Sequence, residues 1–374
     1  MRVDEIYPVT GENCNASAAR KETNLTEAQF DTAALTQFAH SLFLAAGLTE
    51  RLAKPVSKYL VEADMMGHST HGLALAPWYL QSIRDGFMAL DGLPQVISDK
   101  GAAICWRGNR LPGAFLVEKA IKLAIERAGQ YGTATVVVGD SHHIGALAAY
   151  LRLATARNLM IALYSSSPSG AQVAPFGGLD GVFTPDPVAY GIPTGGEPIL
   201  IDISASITTA NMAKRLIGEG RSYDKDWLMD ADGDLSSDPN VLGQGGSLLP
   251  TGGLDHGQKG YGMALSVEAT TQALAGFGRA DKPEGTNSAF TVQIHDPAAF
   301  GGVDGFLRQT GWLADACRAS RPRDPKQPVR LPGQAALTRW ADAVENGVRL
   351  YPGIFEALVV EADRLGVSPA QVLK

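Results

Sequence analysis

Two histidines lie three residues apart in the segment Gly67-His68-Ser69-Thr70-His71-Gly72, which could form a proton-transferring turn. Histidine is the side chain whose ordinary pKa lies closest to neutral pH, so it often serves as a general acid or base. A neighbouring hydroxyl group can orient the ring or pass on a proton. The same spacing also fits two ordinary histidines at the end of a helix. The residue types therefore leave a catalytic turn and a structural turn both open.

A second pair, His142 and His143, follows a β-rich run and precedes a helix-like stretch. Free N–H groups at a helix N-terminus favour a phosphate, and the small residues Gly145 and Ala146 would let a ligand approach the backbone. No G-x-G-x-x-G motif follows an early strand, so this is not a Rossmann fingerprint. An ordinary strand-to-helix turn explains the pattern equally well.

The third candidate is a glycine-rich loop from Gly252 to Gly262, which contains Gln258 and Lys259 and also precedes a helix. Lys259 is followed by Gly260 and not by serine or threonine, so the loop is not a phosphate-binding P-loop. Its composition favours contact with a ligand, with Lys259 meeting a phosphate or a carboxylate, over a purely structural loop.

Other kinds of site are disfavoured. The acidic segment from Asp230 to Asp234 lacks the later glutamate of a calcium loop, and the chain has no G-x-S-x-G nucleophile motif of a hydrolase. Cys14, Cys105 and Cys317 are too far apart for zinc spacing or a disulfide framework, so we predict no metal site and a cytoplasmic location.

The composition is that of a globular protein, with 45% hydrophobic and 19% charged residues in a chain of 374. This length favours two or more domains. A net charge of -7 argues against nucleic-acid binding. No apolar run approaches the roughly 18 residues that a membrane span needs, and the polar N-terminal segment indicates a flexible arm and not a secretory signal.

The elements that must position these candidates alternate between helices and strands. Residues 26–66 predict a helical hairpin that ends at the histidine turn, with a capping box at Thr26. From 113 onward, helices at 113–127, 145–157 and 263–275 alternate with strands at 133–139, 159–164, 188–192, 199–203 and 290–294. This alternation is typical of an α/β fold. Further helices are predicted at 206–220, 306–318 and 354–365.

In order and spacing, these motifs resemble the type-2 malate/L-lactate dehydrogenase family, which also includes sulfolactate and ureidoglycolate dehydrogenases and the piperideine- and pyrroline-2-carboxylate reductases. No single motif is specific, but the ordered set over residues 26–310 is. The set comprises Glu62-Ala63-Asp64 to His71-Gly72, Pro77, Tyr79, Gly86, Ser141 to Ala146, Ala174-Pro175-Phe176-Gly177-Gly178, Pro187, Ile192-Pro193, Ile201 to Ser206, Asp230, Asp232-Gly233, Asp238-Pro239, Leu249-Pro250, Gly252-Gly253 and Lys259-Gly260.

The resemblance implies a non-Rossmann α/β/α domain with a mixed sheet, a homodimer with its active site near the subunit interface, and NADH or NADPH as cofactor. It implies four parts: a flexible arm (1–23), a helical dimerisation part carrying the histidine turn (24–112), an NAD(P)-binding domain (113–305) and a C-terminal helical part that packs on the N-terminal part (306–374).

The resemblance also assigns roles to residues. His71 would be the proton donor to a small 2-oxo or cyclic 2-imino acid, with Thr70 as its hydroxyl neighbour. The substrate side would comprise His68, Leu75 and Asp186. The cofactor side would comprise His143, Ile144, Gly145, Ala146, Leu147, Ala148, Asp202, Ile203, Ser204, Gln258 and Lys259.

Departures from the family pattern concentrate on the substrate side. Leu75 stands where an arginine usually holds the substrate carboxylate, and Met212 stands where the imine reductases have an aspartate. Thr184-Pro185-Asp186-Pro187 replaces G-T-N-P. We therefore expect a substrate other than plain malate or lactate. Either another cation, with Arg84, Lys214 and Arg215 as candidates, holds a carboxylate, or the substrate is bulkier and less acidic. Lys259 slightly favours NADPH over NADH as the cofactor. The alternative to an active oxidoreductase is an inactive dinucleotide-binding homologue.

Overall fold

The computed structural model describes residues 29–373. Its longer helices are α1 (Thr32–Ala45), α2 (Glu50–Met65), α3 (Ala76–Arg84), α4 (Gly113–Tyr131), α5 (Ala148–Thr155), α6 (Ala210–Gly218), α7 (Gln258–Glu268), α8 (Val303–Ala319), α9 (Gln334–Asn346) and α10 (Ile354–Leu365). Its strands are β1 (Gln29–Phe30), β2 (Gln95–Asp99), β3 (Ala103–Arg107), β4 (Thr133–Ser141), β5 (Met160–Ser166), β6 (Val188–Ile192), β7 (Ile199–Ile203), β8 (Leu228–Met229), β9 (Leu235–Ser236), β10 (Ser247–Leu248), β11 (Ser288–His295), β12 (Val348–Arg349) and β13 (Val372–Leu373).

A seven-stranded mixed sheet forms the centre of the fold, in the order β2-β3-β4-β11-β5-β6-β7. Only β3 and β4 pair in parallel; the other neighbours are antiparallel. This confirms the predicted non-Rossmann α/β class, because a Rossmann sheet is mostly parallel. Strand β11 returns from late in the chain to lie between β4 and β5. Its consecutive side chains Ala289, Phe290 and Thr291 are fully buried, as expected for a strand covered on both faces.

The two ends of the described chain meet on one side of the sheet. Strand β1 pairs antiparallel with both β12 and β13. The rings of Phe30 and Phe355 are 4.5 Å apart, and Arg84 in α3 forms a 2.7 Å ion pair with Glu361 in α10. One continuous apolar cluster runs from Phe30 through the sheet to Ala362. The four-part division of the chain stays a prediction, and its arm lies outside the described residues.

Several element boundaries differ from the sequence-based expectation. The first helix begins at Thr32, where the Asp31 carboxylate accepts the Ala34 N–H at 2.8 Å, and Thr26 lies outside the described residues. Helix α5 begins only at Ala148. Helix α9 was not predicted. Helix α7 starts at Gln258 and passes into a π-helical turn, Ala269–Ala273, which aims Thr271 and Gln272 at Ser166. In the described chain, no helix is both long and apolar enough to cross a membrane.

Candidate active site

A cavity of about 520 Å³ lies where the histidine turn, the loop after β4 and the end of β7 converge. Eleven of the predicted site residues line it: His68, Thr70, His71, His143, Ile144, Gly145, Ala146, Leu147, Asp202, Ile203 and Ser204. The rest of the wall is formed by segments 165–167, 169–172, 184–187, 207–212 and 285–288, in part, together with Trp78 and Trp227. The fold therefore brings the first two sequence candidates into one site.

His71 is the titratable group at the centre of this wall. Its Nδ1 lies 2.9 Å from the Thr70 hydroxyl oxygen. Burial, followed by the nearby His68 and Arg215, lowers the pKa of His71 to about 4. The ring is therefore neutral at pH 7. If Nδ1–H donates to Thr70, the other ring nitrogen, Nε2, keeps a lone pair that can accept a proton.

The histidine turn is fastened to helix α2 by Asp64. The Asp64 Oδ2 atom accepts the backbone N–H of Leu73 at 2.7 Å. Burial raises the pKa of Asp64 to about 7, although the Leu73 N–H and Arg215 act in the opposite direction. The carboxyl group thus holds the backbone just after His71, so the orientation of the turn depends on a residue seven positions earlier in the chain.

The second histidine pair has two different environments. His143 Nδ1 lies 2.7 Å from the Tyr79 hydroxyl and accepts the Gly145 N–H at 3.2 Å, which places the proton of the neutral ring on Nε2. The His143 ring is stacked on that of His71 with centroids 6.1 Å apart. His142 is fully buried against Trp78 and Tyr79, and it does not line the cavity. Thus only His143 can take part in the site.

Asp202 occupies the N-terminus of helix α5. One oxygen of its carboxylate accepts the Ala148 N–H at 2.8 Å. The carboxylate also accepts a hydrogen bond from the Leu147 N–H. These are the N–H groups that the sequence suggested for a phosphate. The phosphate interpretation is wrong for these two groups, because a protein carboxylate already satisfies them. Burial raises the pKa of Asp202 despite His68 and these N–H donors.

Five predicted site residues lie outside the cavity wall: Leu75, Ala148, Asp186, Gln258 and Lys259. Leu75 is only 4% exposed and belongs to the apolar core. Gln258 and Lys259 are at the start of α7, next to the strand end, where Gly260 packs on Ala205 so closely that a Cβ would lie 2.4 Å from the Ala205 carbonyl oxygen. Close packing therefore accounts for Gly260 without a ligand.

Asp186 lies behind the wall and not in it. It is fully buried, and its backbone has a left-handed φ of 42°. The Thr184 hydroxyl, which lines the cavity, donates to Asp186 Oδ1 at 2.5 Å. Burial and the neighbouring Glu268 raise the pKa of Asp186 well above its ordinary value. Any effect of Asp186 on a ligand would therefore pass through Thr184.

The sequence analysis missed part of the polar wall. The Ser166 hydroxyl lies 2.7 Å from Thr271 Oγ1 and accepts from Gln272 Nε2 at 2.9 Å, and Ser167 pairs with Ser288 at 3.2 Å. The serine-rich run at 165–169 follows a predicted strand end, which is where sites on α/β sheets form. That position could have identified it from the sequence.

Comparison with known proteins places the chain among dehydrogenases. The family model for malate/L-lactate dehydrogenase matches residues 30–359. The chain is 28% identical over 355 residues to a hydroxycarboxylate dehydrogenase B of Escherichia coli, covering 92% of this chain and 96% of that protein. It is 29% identical to a (2R)-3-sulfolactate dehydrogenase (NADP(+)) of Chromohalobacter salexigens, covering 77% and 85%. A malate dehydrogenase structure from Entamoeba histolytica shares the fold, with a TM-score of 0.85, 22% identity and coverage of 91% and 98%.

Proposed function

Since the chain belongs to the malate/L-lactate dehydrogenase family, we propose that it is an NAD(P)H-dependent oxidoreductase that interconverts a small 2-hydroxy acid and its 2-oxo acid, or reduces a cyclic 2-imino acid. The observation that carries this proposal is the Thr70–His71 pair in the cavity wall. A histidine positioned by a hydroxyl group is the proton-transfer device that such a reaction requires.

His71 would exchange the proton of the reacting oxygen or nitrogen atom. Because its pKa is about 4, the ring is neutral at pH 7 and is ready to accept a proton from a hydroxyl group. In the reducing direction, it would return that proton. The nicotinamide, when bound, supplies or accepts the hydride. Thr70 would orient the ring, and Trp78, 5.3 Å from the His143 ring by centroids, forms an apolar part of the cavity wall.

The described residues fit a dinucleotide. A volume of about 520 Å³ falls within the range of cofactor sites, roughly 300–1,000 Å³. The wall has no lysine or arginine among the described residues, so backbone N–H groups and hydroxyls such as that of Ser204 would bind most of the cofactor's polar atoms. The second oxygen of Asp202 could accept from a ribose hydroxyl. His143 to Leu147 would form the opposite side.

NADPH is the cofactor we favour over NADH. Lys259 is exposed at the start of α7, and this helix packs on the backbone next to Ser204 through Gly260. A lysine ammonium near the strand end could meet a 2′-phosphate, which NADH lacks. If Lys259 has this role, Lys259→Met should weaken NADPH binding and leave NADH binding unchanged. Equal effects on both cofactors would contradict it.

The substrate we expect is an acid other than plain malate or lactate. Met212, an apolar residue, lines the cavity where the imine reductases have an aspartate. Leu75 carries no charge that could bind a substrate carboxylate. The reacting end is thus enclosed by His68, His71 and an apolar side chain. Such a site would accommodate a bulkier and less polar side chain than that of malate.

We further propose that the protein is a homodimer. Helix α8 has 17 residues, of which only Ala314 is buried, and Trp312 and Leu313 are 69% and 52% exposed. Exposed apolar side chains of this size on one helix indicate an interface with another molecule. Light scattering after gel filtration should give twice the mass of the chain, and Trp312→Glu should reduce it. A monomeric wild-type protein would contradict the dimer.

One experiment tests the proposed reaction. Purified protein would be titrated with NADPH and with NADH, and then supplied with a panel of 2-oxo, 2-hydroxy and cyclic imino acids while the nicotinamide absorbance is followed. We expect binding of at least one cofactor and its oxidation or reduction by some of the acids. Cofactor binding without turnover of any acid would support an inactive homologue, and absence of binding would overturn the whole proposal.

A further inference from the structure

We propose that Arg215 holds the carboxylate of the substrate, an inference that rests on the proposed function. An acid that enters the cavity needs a cation near His71. Yet among the described residues, the cavity wall contains no lysine or arginine. Two described arginines lie against the histidine turn: Arg339 at its start, beside Gly67, and Arg215 at Ser69, two residues before His71.

The position of Arg215 follows from helix α6. The helix is capped by Thr209, whose hydroxyl oxygen accepts the Met212 N–H at 3.2 Å. Asn211 and Met212 line the cavity, and Arg215 lies four and three residues after them, on the same helix face. Its Nη1 donates to the Ser69 hydroxyl at 3.0 Å. Arg215 therefore joins the α6 wall of the cavity to the wall that carries His71.

The guanidinium group is prepared for a carboxylate. It stacks over the Tyr351 ring, 3.9 Å from the centroid, which fixes its plane and leaves its N–H edge available. In the described part of the chain, Arg215 has no carboxylate within ion-pair distance. Of the two carboxylates whose pKa the Arg215 charge lowers, Glu219 bonds to Tyr351 and Arg221, and Asp64 bonds to the Leu73 N–H. A bond to a neutral serine hydroxyl is weaker than a bidentate bond to a carboxylate, so an acid would displace it.

The other cations suggested by the sequence are less suitable. Arg84 is ion-paired with Glu361 at 2.7 Å and is further bonded to Gln81, on the side of α3 that packs on α10. Lys214 is exposed on α6, whereas Arg215 is half-buried. Arg215 also donates to Ser69, within the segment between His68 and Thr70.

Arg215 also couples binding to proton transfer. Its positive charge is one of the causes of the lowered His71 pKa. A carboxylate bound to Arg215 would cancel that charge, so the affinity of His71 for a proton would rise when the substrate is present. A residue that merely stabilises the fold would not have this effect, which provides a second, independent readout.

The test compares Arg215→Met and Arg215→Lys with Arg221→Met, a matched control that removes the same charge six residues further on. Calorimetry would measure oxalate binding to the protein saturated with NADPH. We expect Arg215→Met to lose at least about 100-fold in oxalate affinity, the lower end for the loss of two hydrogen bonds to a charged group, while its affinity for NADPH changes less than twofold. Arg215→Lys should retain part of the affinity, and Arg221→Met nearly all of it.

Kinetics provide the second readout. With the best 2-oxo acid of the panel and its amide, Arg215→Met should raise the KM for the acid far more than that for the amide. It should also shift the alkaline limb of the kcat/KM profile, where the proton on His71 is lost, to higher pH, because the Arg215 charge no longer lowers the His71 pKa. If wild-type protein fails to bind oxalate, or if Arg215→Met binds it equally well, the role of Arg215 is overturned. Oxalate binding tests Arg215 even if no acid is turned over, so the two proposals can fail separately.

Discussion

The carboxyl group of Asp64 lies directly against Gly72. A Cβ atom at position 72 would be 2.3 Å from Asp64 Oδ1, well inside the contact distance of real atoms. The same carboxyl group accepts the Leu73 N–H at 2.7 Å. The glycine after His71 is therefore required by packing, since any side chain there would push the turn away from the residue that holds it.

Gly72→Ala is predicted to displace His71 and lower kcat at least 100-fold, because a misplacement of about 1 Å at a reacting group can have that effect. Stopped-assay rates and melting temperature would be measured together. Gly129→Ala is the matched control: Gly129 lies within helix α4, where a Cβ meets no atom within 4 Å. That variant should be stabilised by up to about 1 kcal/mol. Full activity in Gly72→Ala would show that the turn tolerates a side chain.

His71→Asn is predicted to reduce kcat/KM by roughly 100- to 10,000-fold, the usual contribution of a positioned acid or base. Its affinity for NADPH, measured by fluorescence titration, should change little, because the proposed role of the ring is to exchange a proton with the reacting atom and not to bind the nucleotide. A loss of cofactor affinity equal to the loss of kcat/KM would indicate that His71 acts in binding and would contradict the proposed role.

His142→Phe is predicted to make the protein more resistant to acid. Burial lowers the pKa of His142 to about 3, below that of the unfolded chain, near 6.5. Between these values the unfolded state binds more protons, so stability is lost as the pH falls from 6.5. At pH 5, protonation of His142 in the unfolded state lowers the free energy of unfolding by about 2 kcal/mol. A phenylalanine at this position does not lower it. In the described chain neither ring nitrogen of His142 has a hydrogen-bond partner to lose.

Denaturant unfolding between pH 5 and pH 8 would check this prediction. His71 shifts stability in the same direction as His142, and Asp64, whose pKa is raised to about 7, shifts it in the opposite direction between about pH 4 and 7. Both are present in the wild type and the variant, so the difference between the two curves reports His142 together with its effect on the His143 pKa, which His142 lowers. Parallel curves would show that His142 does not titrate as a buried group.

Leu75→Arg is predicted to destabilise the protein and not to restore binding of the substrate carboxylate. Leu75 is 4% exposed in the apolar core, where an unpaired charge costs several kcal/mol. Thermal unfolding should show a large decrease in Tm, whereas Leu75→Met should cost less than about 1.5 kcal/mol. A stable Leu75→Arg protein with greater activity on pyruvate or oxaloacetate would instead support the sequence-based view that Leu75 determines the substrate.

Local patterns predicted much of the fold. Helix α10 was predicted with its observed bounds, Ile354–Leu365, because apolar residues at helical spacing lie between two glycines. Helix α9 was missed because it follows a proline-rich segment that indicated an irregular surface stretch. The residues from Thr26 match the sequence pattern of a capping box. The described helix nevertheless begins six residues later, because Phe30 pairs with Val348 in a sheet. A partner more than 300 residues away cannot be seen in a local window.

The amino-acid order specifies the chemistry available to this protein: a hydroxyl–histidine pair, a glycine after it, and the ordered motifs of a dehydrogenase family. Only the tertiary structure decided which residues share the cavity. It brought Asp202 onto the N-terminus of α5, buried Leu75, and placed Arg215 on Ser69. The physical reason is that identity and periodicity are local properties of the chain, whereas a site is formed by side chains from distant elements whose pairing is determined by the packing of the whole core.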